Sequence, residues 1–432
     1  MPDIKLQPLL EAIHPKDMKQ RLEPFFGELQ KPPIIDASRL HAPICYWAVY
    51  KAGDQRVTLK SFFSEEEYES YLGKLRKYYE DRFDQPQHPL GGLMLIPELN
   101  GLLWGFPFDP QMPQLHRCTD VTWINDLLER RSSSPLQPKI ITYNPEINAI
   151  LAYRDQHRIL AYGKASANDD GEQIFDIMDR LWWSTERAAG QLRVARPLAY
   201  ASEANLLLQS AVGGRVMPGR RNSKTFLELV KVAGSALALI HGSDITHSWQ
   251  RTLQFDLRRL HSWIHELELT SPGLYSTMRL LLDQVDSRAK QPESLDLVPS
   301  HGDYKWNQFL HYRGRFSLID FELFCESERW FDVGYFCAYL PSMLPDDWRD
   351  GMATELLRER FLSTYSEAAG VALDLERIGL YEAAALATRA ITQVWQHQGN
   401  WHYRASLLLD MAVDRLVSPE PKQLDISLAA AL

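Results

Sequence analysis

The sequence predicts an α+β chain with a small β-rich lobe, a larger α-helical lobe and an additional N-terminal α/β domain in front of both. Three observations carry this. Short β-rich runs separated by turn residues cluster between residues 138 and 212. From about residue 222 the apolar residues recur at helical spacing. The stretch ERRSSSPLQPK, residues 129–139, gathers Ser and Pro as linkers do. The expected domains are therefore 1–130, 138–212 and 213–432.

In the first segment, CYWAVY and RVTLKSFF read as strands, and SEEEYESYLGKLRKYYEDRF opens on a Ser cap and continues as a helix. LWGFPFDPQMPQL (103–115), rich in Trp, Phe and Pro, reads as an ordered extended loop packed against another part of the chain, such as the small lobe. KIITYN, AILAYR and RILAYGKA follow as three strands. DDGEQIFDIMDRLWW is a helix with carboxylates in its first turn, where they favour the dipole. RPLAYA and NLLLQSAV return to strand character before Gly213-Gly214. The helical part runs through TFLELVKVAGSALALIHG, LQFDLRRLHSWIHELEL and LYSTMRLLLDQV. It is interrupted by the strand pair FLHYR and FSLIDF with a turn at Gly314, then resumes in the tail. A loose internal echo links RVTLKSFFSEEEYESYL near residue 60 with RILAYGKASANDDGEQIFDIM near 160: strand, lysine, acidic helix start.

Length and composition narrow the function. A chain of 432 residues that is 45% hydrophobic can bury large cores. A net charge of −9 gives no basic footprint for a nucleic acid partner. The four cysteines, Cys45, Cys118, Cys325 and Cys337, lack metal or disulfide spacing, as expected in a reducing cytoplasm. The N-terminal residues have no signal-peptide core, and no apolar run approaches the roughly 18 residues that cross a bilayer. The expectation is a cytoplasmic protein without a membrane partner; its oligomeric state is not legible.

The chemistry concentrates in SHGDYKWNQFLHYRGRFSLIDFELF, residues 300–324. One carboxylate, Asp303, precedes a short strand, and a second, Asp320, ends the next strand. Phosphoryl transfer wants such a pair, because its catalysis is mostly positioning and charge neutralisation: one carboxylate orients a hydroxyl and takes its proton, the other holds Mg²⁺ on nucleotide phosphates. Capping or turn roles are the structural alternative for either Asp.

HGDYKWNQFL followed by FSLIDFE and RWFDVGYF resembles the aminoglycoside phosphotransferase and choline kinase group of protein-kinase-like small-molecule kinases, over roughly residues 138–410. The resemblance implies a bilobal protein-kinase-like fold, ATP (or GTP) and Mg²⁺ as cofactors, and a small-molecule hydroxyl acceptor. By residue it implies Asp303 as catalytic base, Asp320 as principal metal ligand, and Asp332 and His301 as residues that shape the catalytic loop. The family's metal-binding Asn falls on Gln308, whose extra methylene moves the oxygen by about a bond length; neighbouring Asn307 fits only with a shifted register. In the small lobe Lys164 matches the phosphate-holding lysine. Glu172 is its expected ion-pair partner, with Asp169 and Asp176 as rivals. The phosphate-covering loop falls on NPEIN, which lacks glycine, so its contacts are expected from backbone N–H groups or the amides of Asn144 and Asn148. LLLQSAV matches the hinge, where backbone around Gln209 to Ala211 would pair with adenine.

Two rival functions remain at this level: a noncatalytic pseudokinase-type binding module, suggested by Gln308 and the glycine-free loop, and a choline- or homoserine-like metabolite kinase. His241 is expected to pack at a helix end. Trp182, Trp183, Trp395 and Trp401 are expected in cores more than on a sugar-binding surface.

Overall fold

A five-stranded antiparallel sheet opens the fold in the computed structural model, which describes residues 6–41, 44–79, 93–129, 135–184, 187, 189–190, 192–216, 223–289, 296–343, 351–396 and 399–417. Helices α1 (Leu6–Ala12) and α2 (Lys19–Phe26) precede strands β1 (Ile34–His41), β2 (Cys45–Ala52) and β3 (Gln55–Phe62). Helix α3 (Glu65–Tyr79) then leads to β4 (Met94–Ile96) and β5 (Gly101–Gly105), and the strand order is β1-β2-β3-β5-β4.

Helix α3 forms where the sequence says it should. Ser64 Oγ accepts the Glu67 N–H at 3.2 Å, Glu65, Glu66 and Glu67 occupy the first turn, and Arg76 and Lys77 the last. Its buried Tyr68, Leu72 and Leu75, at helical spacing, pack with Phe62, Leu102 and Trp104. Strand β2 is buried on both faces. Tyr46, Ala48 and Tyr50 meet Ile13, Met18 and Leu22, while Trp47 and Val49 face the other way.

After α4 (Val121–Leu127) comes a second five-stranded antiparallel sheet, β6 (Gln137–Asn144), β7 (Asn148–Arg154), β8 (Ile159–Ser166), β9 (Pro197–Ala201) and β10 (Leu206–Ser210), in the order β6-β7-β8-β10-β9. Of the linker expected at 129–139, residues 130–134 lie outside the described residues. The inner face of this sheet, with Tyr143, Leu151, Tyr153 and Leu208, shares one core with Trp47, Val49 and the segment carrying Met112, Leu115 and Ile124. Both sheets belong to one compact unit, residues 1–175, 197–211 and 395–399. Helix α5 (Gly171–Trp183) begins at the end of its first stretch.

The second unit comprises residues 176–196, 212–394 and 400–432. Its helices are α6 (Ser223–His241), α7 (Leu253–Thr270), α8 (Pro272–Arg288), α9 (Trp330–Tyr339), α10 (Gly351–Ala369), α11 (Leu375–Gln396) and α12 (Trp401–Val417). The tail, read as one helical run, is two helices, and Gly399, at φ 58°, lies between them. Two three-stranded sheets complete the unit: β11 (Arg215–Val216) with β14 (Phe309–Tyr312) and β15 (Arg315–Leu318), and β12 (Gln250–Arg251) with β16 (Cys325–Glu328) and β13 (Leu297–Ser300). The β14–β15 turn has φ 49° at Arg313 and 74° at Gly314, the paired positive values that match a two-residue hairpin to strand twist.

A buried charge cluster ties the helices together. Arg358 Nε donates to Glu382 Oε2 at 2.9 Å, Arg415 Nε donates to Glu382 Oε1 at 2.8 Å, and Arg415 also pairs with Glu355. Glu382 is 2% exposed and Arg358 0%. Glu382→Ala would remove the buried carboxylate that two guanidinium groups share, so it is expected to cost about 3–5 kcal/mol in denaturant unfolding. A cost under about 1 kcal/mol would mean that water reaches the cluster. No helix among the described residues is long and apolar enough to cross a membrane, and all four cysteines are buried and form no disulfide.

Candidate active site

The site grows out of β13. After Ser300 the chain makes a tight loop through His301, Gly302 and Asp303, and both N–H groups ahead of Asp303 are held by one buried carboxylate. His301 N–H donates to Asp332 Oδ2 at 2.6 Å and Gly302 N–H to Asp332 Oδ1 at 3.1 Å. The Gly302 carbonyl accepts from the Arg251 guanidinium at 3.0 Å, and Arg251 is itself paired with Asp256. Gly302 adopts φ 83°, and a Cβ there would sit 1.6 Å from the Leu323 carbonyl oxygen, so only glycine fits.

His301 supports the same loop from its side chain. Its Nε2 lies 3.0 Å from the Ile319 carbonyl, which can only accept, so Nε2 carries the proton and Nδ1 accepts the Asp303 N–H at 3.3 Å. His241 is fully buried, with Nδ1 2.7 Å from the Tyr365 hydroxyl and Nε2 3.9 Å from Asp332. Burial lowers its pKa against the pull of Asp332 and favours the neutral ring.

Asp303 is 9% exposed. Its Oδ1 accepts the Tyr335 hydroxyl at 2.9 Å, and its Oδ2 accepts Lys305 Nζ at 2.6 Å and Gln308 Nε2 at 2.7 Å. The same Gln308 nitrogen donates to Asp320 Oδ2 at 3.0 Å, which brings the two carboxylates to one amide. Asp320 adopts φ 72° just past β15 and is turned back toward the loop; the preceding Ile319 N–H bonds the Gln308 carbonyl at 3.0 Å. Burial works against the charge of Lys305, but Asp303, Tyr339 and Asp320 outweigh it and raise its pKa. Burial, then Tyr339 and Asp303, pushes the Tyr335 phenol far up, so it stays a donor. Chemically this is a buried carboxylate with fixed orientation, compensated by one lysine and adjacent to a second carboxylate.

The second unit thus gathers Asp303, Gln308 and Asp320. The first unit carries the other expected positions. Lys164 is half-buried in β8, paired with Ile150 and Leu207. Glu172 is exposed in the first turn of α5. Asn144 and Asn148 bond each other across the β6–β7 turn at 2.8 Å. Gln209 lies within β10, and Ala211, just beyond it, already commits its N–H to the Leu160 carbonyl at 3.3 Å.

Sequence reading missed Lys305, Tyr335 and Arg251. A lysine two residues after the loop Asp was a usable signal for the first. Tyr335 lies three residues after Asp332 on α9, the spacing that puts two side chains on one helix face. Nothing near Arg251 in sequence pointed to Gly302.

The donor chemistry fits a hard divalent cation. Asp320 offers carboxylate oxygens, and a half-turn of the Gln308 amide presents Oε1 in place of the nitrogen. Among the described residues no group of three His, Cys, Asp or Glu side chains gathers as a metal cage.

Comparison with known proteins agrees with this geometry. Residues 158–371 match the model of the phosphotransferase enzyme family. A Ralstonia eutropha JMP134 protein assigned as an aminoglycoside phosphotransferase superposes with a TM-score of 0.54 at 15% identity, covering 71% of this chain and 99% of that one. A choline kinase from Cryptosporidium parvum Iowa II gives a TM-score of 0.47 at 13% identity over 69% of this chain and 93% of that one. Spectinomycin phosphotransferase in complex with ADP and spectinomycin gives 0.47 at 11% identity over 70% and 98%. At 15% identity the likeness to the Ralstonia protein establishes the fold alone, here the protein-kinase-like one with a β-sheet lobe and a helical lobe. No curated protein matches the chain.

Proposed function

We propose that the chain, a small-molecule kinase whose residues 158–371 match the model of the phosphotransferase enzyme family, moves the γ-phosphoryl group of ATP to a hydroxyl of a sugar, aminoglycoside-like compound or other natural product. The observation that carries the reading is the frame around Asp303: a buried carboxylate held by Tyr335, Lys305 and Gln308, with Asp320 on the same amide.

Asp303 orients the acceptor hydroxyl and takes its proton as the acceptor oxygen bonds to phosphorus and the bond to the ADP oxygen breaks. Tyr335 and Gln308 stop the carboxylate from rotating. Lys305, charged beside it, moderates the negative charge that gathers when phosphate approaches. Asp320 and Gln308 would hold Mg²⁺, which when bound neutralises phosphate charge. Lys164 would hold the α and β phosphates with Glu172 as its ion-pair partner. Asn144 and Asn148 would lie beside the phosphates, and backbone near Gln209 and Ala211 beside the base. Retention of Asp303 and Asp320 together favours turnover over a noncatalytic module.

Calorimetric titration with ATP and with GTP, each with and without Mg²⁺, tests the nucleotide assignment. Binding is expected to require Mg²⁺, and Asp320→Ala is expected to weaken it at least tenfold. Binding that is indifferent to both the metal and the substitution would remove Asp320 from the metal role.

A further inference from the structure

The two sheets of the first unit follow one plan. Their strand orders, β1-β2-β3-β5-β4 and β6-β7-β8-β10-β9, are the same. Each sends a helix, α3 or α5, from its third strand toward its fourth. Each joins its last two strands through a three-residue 3₁₀ turn closed by a left-handed asparagine, Asn100 at φ 44° or Asn205 at φ 46°.

The registers also correspond. In the second–third strand ladders, Cys45↔Phe62, Tyr46↔Ser61 and Trp47↔Lys60 match Asn148↔Ser166, Ala149↔Ala165 and Ile150↔Lys164. On the opposite edge Lys60 faces Leu102 as Lys164 faces Leu207. Residues 34–105 are therefore a second copy of the small-lobe plan, with Lys60 standing where Lys164 stands.

Lys60 has an internal partner. Lys60 Nζ lies 2.5 Å from Glu146 Oε2, both side chains being largely buried, and 4.2 Å from the Tyr71 ring centroid. The Tyr71 hydroxyl donates to Glu146 Oε1. Glu146 occupies the β6–β7 turn at φ 61°, a conformation that costs a non-glycine residue about 1 kcal/mol or more. Its N–H donates at 2.9 Å to Asp109 Oδ2, a fully buried carboxylate that also accepts the Tyr143 hydroxyl at 2.6 Å.

We propose that the N-terminal copy is a positioning device: Lys60, Tyr71 and Asp109 grip Glu146 and hold the glycine-free turn 144–148 in place for the phosphates of the nucleotide. This rests on the reading of that turn as the phosphate cover. In the copy the lysine is spent on an internal carboxylate. Removing either partner leaves the other charge buried without compensation, which favours release of the turn.

The test uses the full chain carrying Lys60→Met, Glu146→Gln, and the exchanged pair Lys60→Glu with Glu146→Lys. Hydrogen exchange and nucleotide kinetics are read on each. Both single variants are expected to exchange the amides of 146–148 at least tenfold faster, with the rest of the second sheet unchanged. They are also expected to raise KM for ATP about five- to tenfold while kcat stays within twofold, and the exchanged pair is expected to recover part of both.

Unchanged exchange at 146–148 in Glu146→Gln, a variant that adds no bulk, overturns the clamp whether or not ATP is the donor. Faster exchange with an unchanged KM for ATP overturns the positioning role. If no nucleotide is turned over at all, it is the phosphate-cover reading that fails, and the exchange data still decide whether the clamp exists.

Discussion

Asp303→Asn is expected to lower kcat by about 10²–10⁴-fold while leaving KM for the nucleotide within a few-fold, because the residue supplies proton acceptance and orientation without holding phosphate. The substitution suits this site. Asn can turn its oxygen toward Lys305 and Gln308, which both donate to Oδ2, and its nitrogen toward Tyr335, whose hydroxyl can accept. The loop frame, which depends on Asp332, His301 and Arg251, is untouched. Steady-state kinetics with a thermal melt on the same preparation separate chemistry from folding. A folded Asp303→Asn with wild-type kcat would remove Asp303 as base.

Gly302→Ala is expected to destabilise the second unit by about 4 kcal/mol or more and to abolish activity with it. Two costs coincide: φ of 83°, which L residues rarely adopt, and a Cβ 1.6 Å from the Leu323 carbonyl oxygen and 2.4 Å from its carbon. Both contacts are backbone, so no side chain can swing aside. Gly314→Ala is the matched control, with φ 74° but open space around its Cβ, and should cost only about 1–2 kcal/mol. Equal effects in denaturant unfolding would show that the Leu323 segment yields and that the loop is less rigid than its hydrogen bonds imply.

Much of this was legible in the sequence, for local reasons. The runs at 139–144, 149–154 and 158–165 became β6, β7 and β8, and SEEEYESYL became the start of α3, because period and capping are short-range signals. The convergence of Asp303, Gln308 and Asp320 followed from a short loop and a hairpin. Asp320 itself lies just past its strand, because a left-handed backbone at that position ends β15 at Leu318.

What escaped was long-range. Arg251 reaches Gly302 across 51 residues and Lys60 reaches Glu146 across 86, and no periodicity encodes such pairs. Strand β1 was missed because Asp36 and the prolines ahead of it weaken its strand pattern. The echo between residues near 60 and near 160 was visible as strand, lysine and acidic helix start. Only the paired registers give it structural meaning.

The most direct measurement is transfer of radiolabelled γ-phosphate from ATP, with Mg²⁺, to a panel of sugar, aminoglycoside and amino-alcohol acceptors, run beside Asp303→Asn. Label is expected on a hydroxyl of at least one acceptor with the wild-type chain, and at most about one hundredth of that rate with the variant. Equal labelling by both proteins would contradict it, as would a folded, nucleotide-binding wild-type chain that transfers phosphate to none of them.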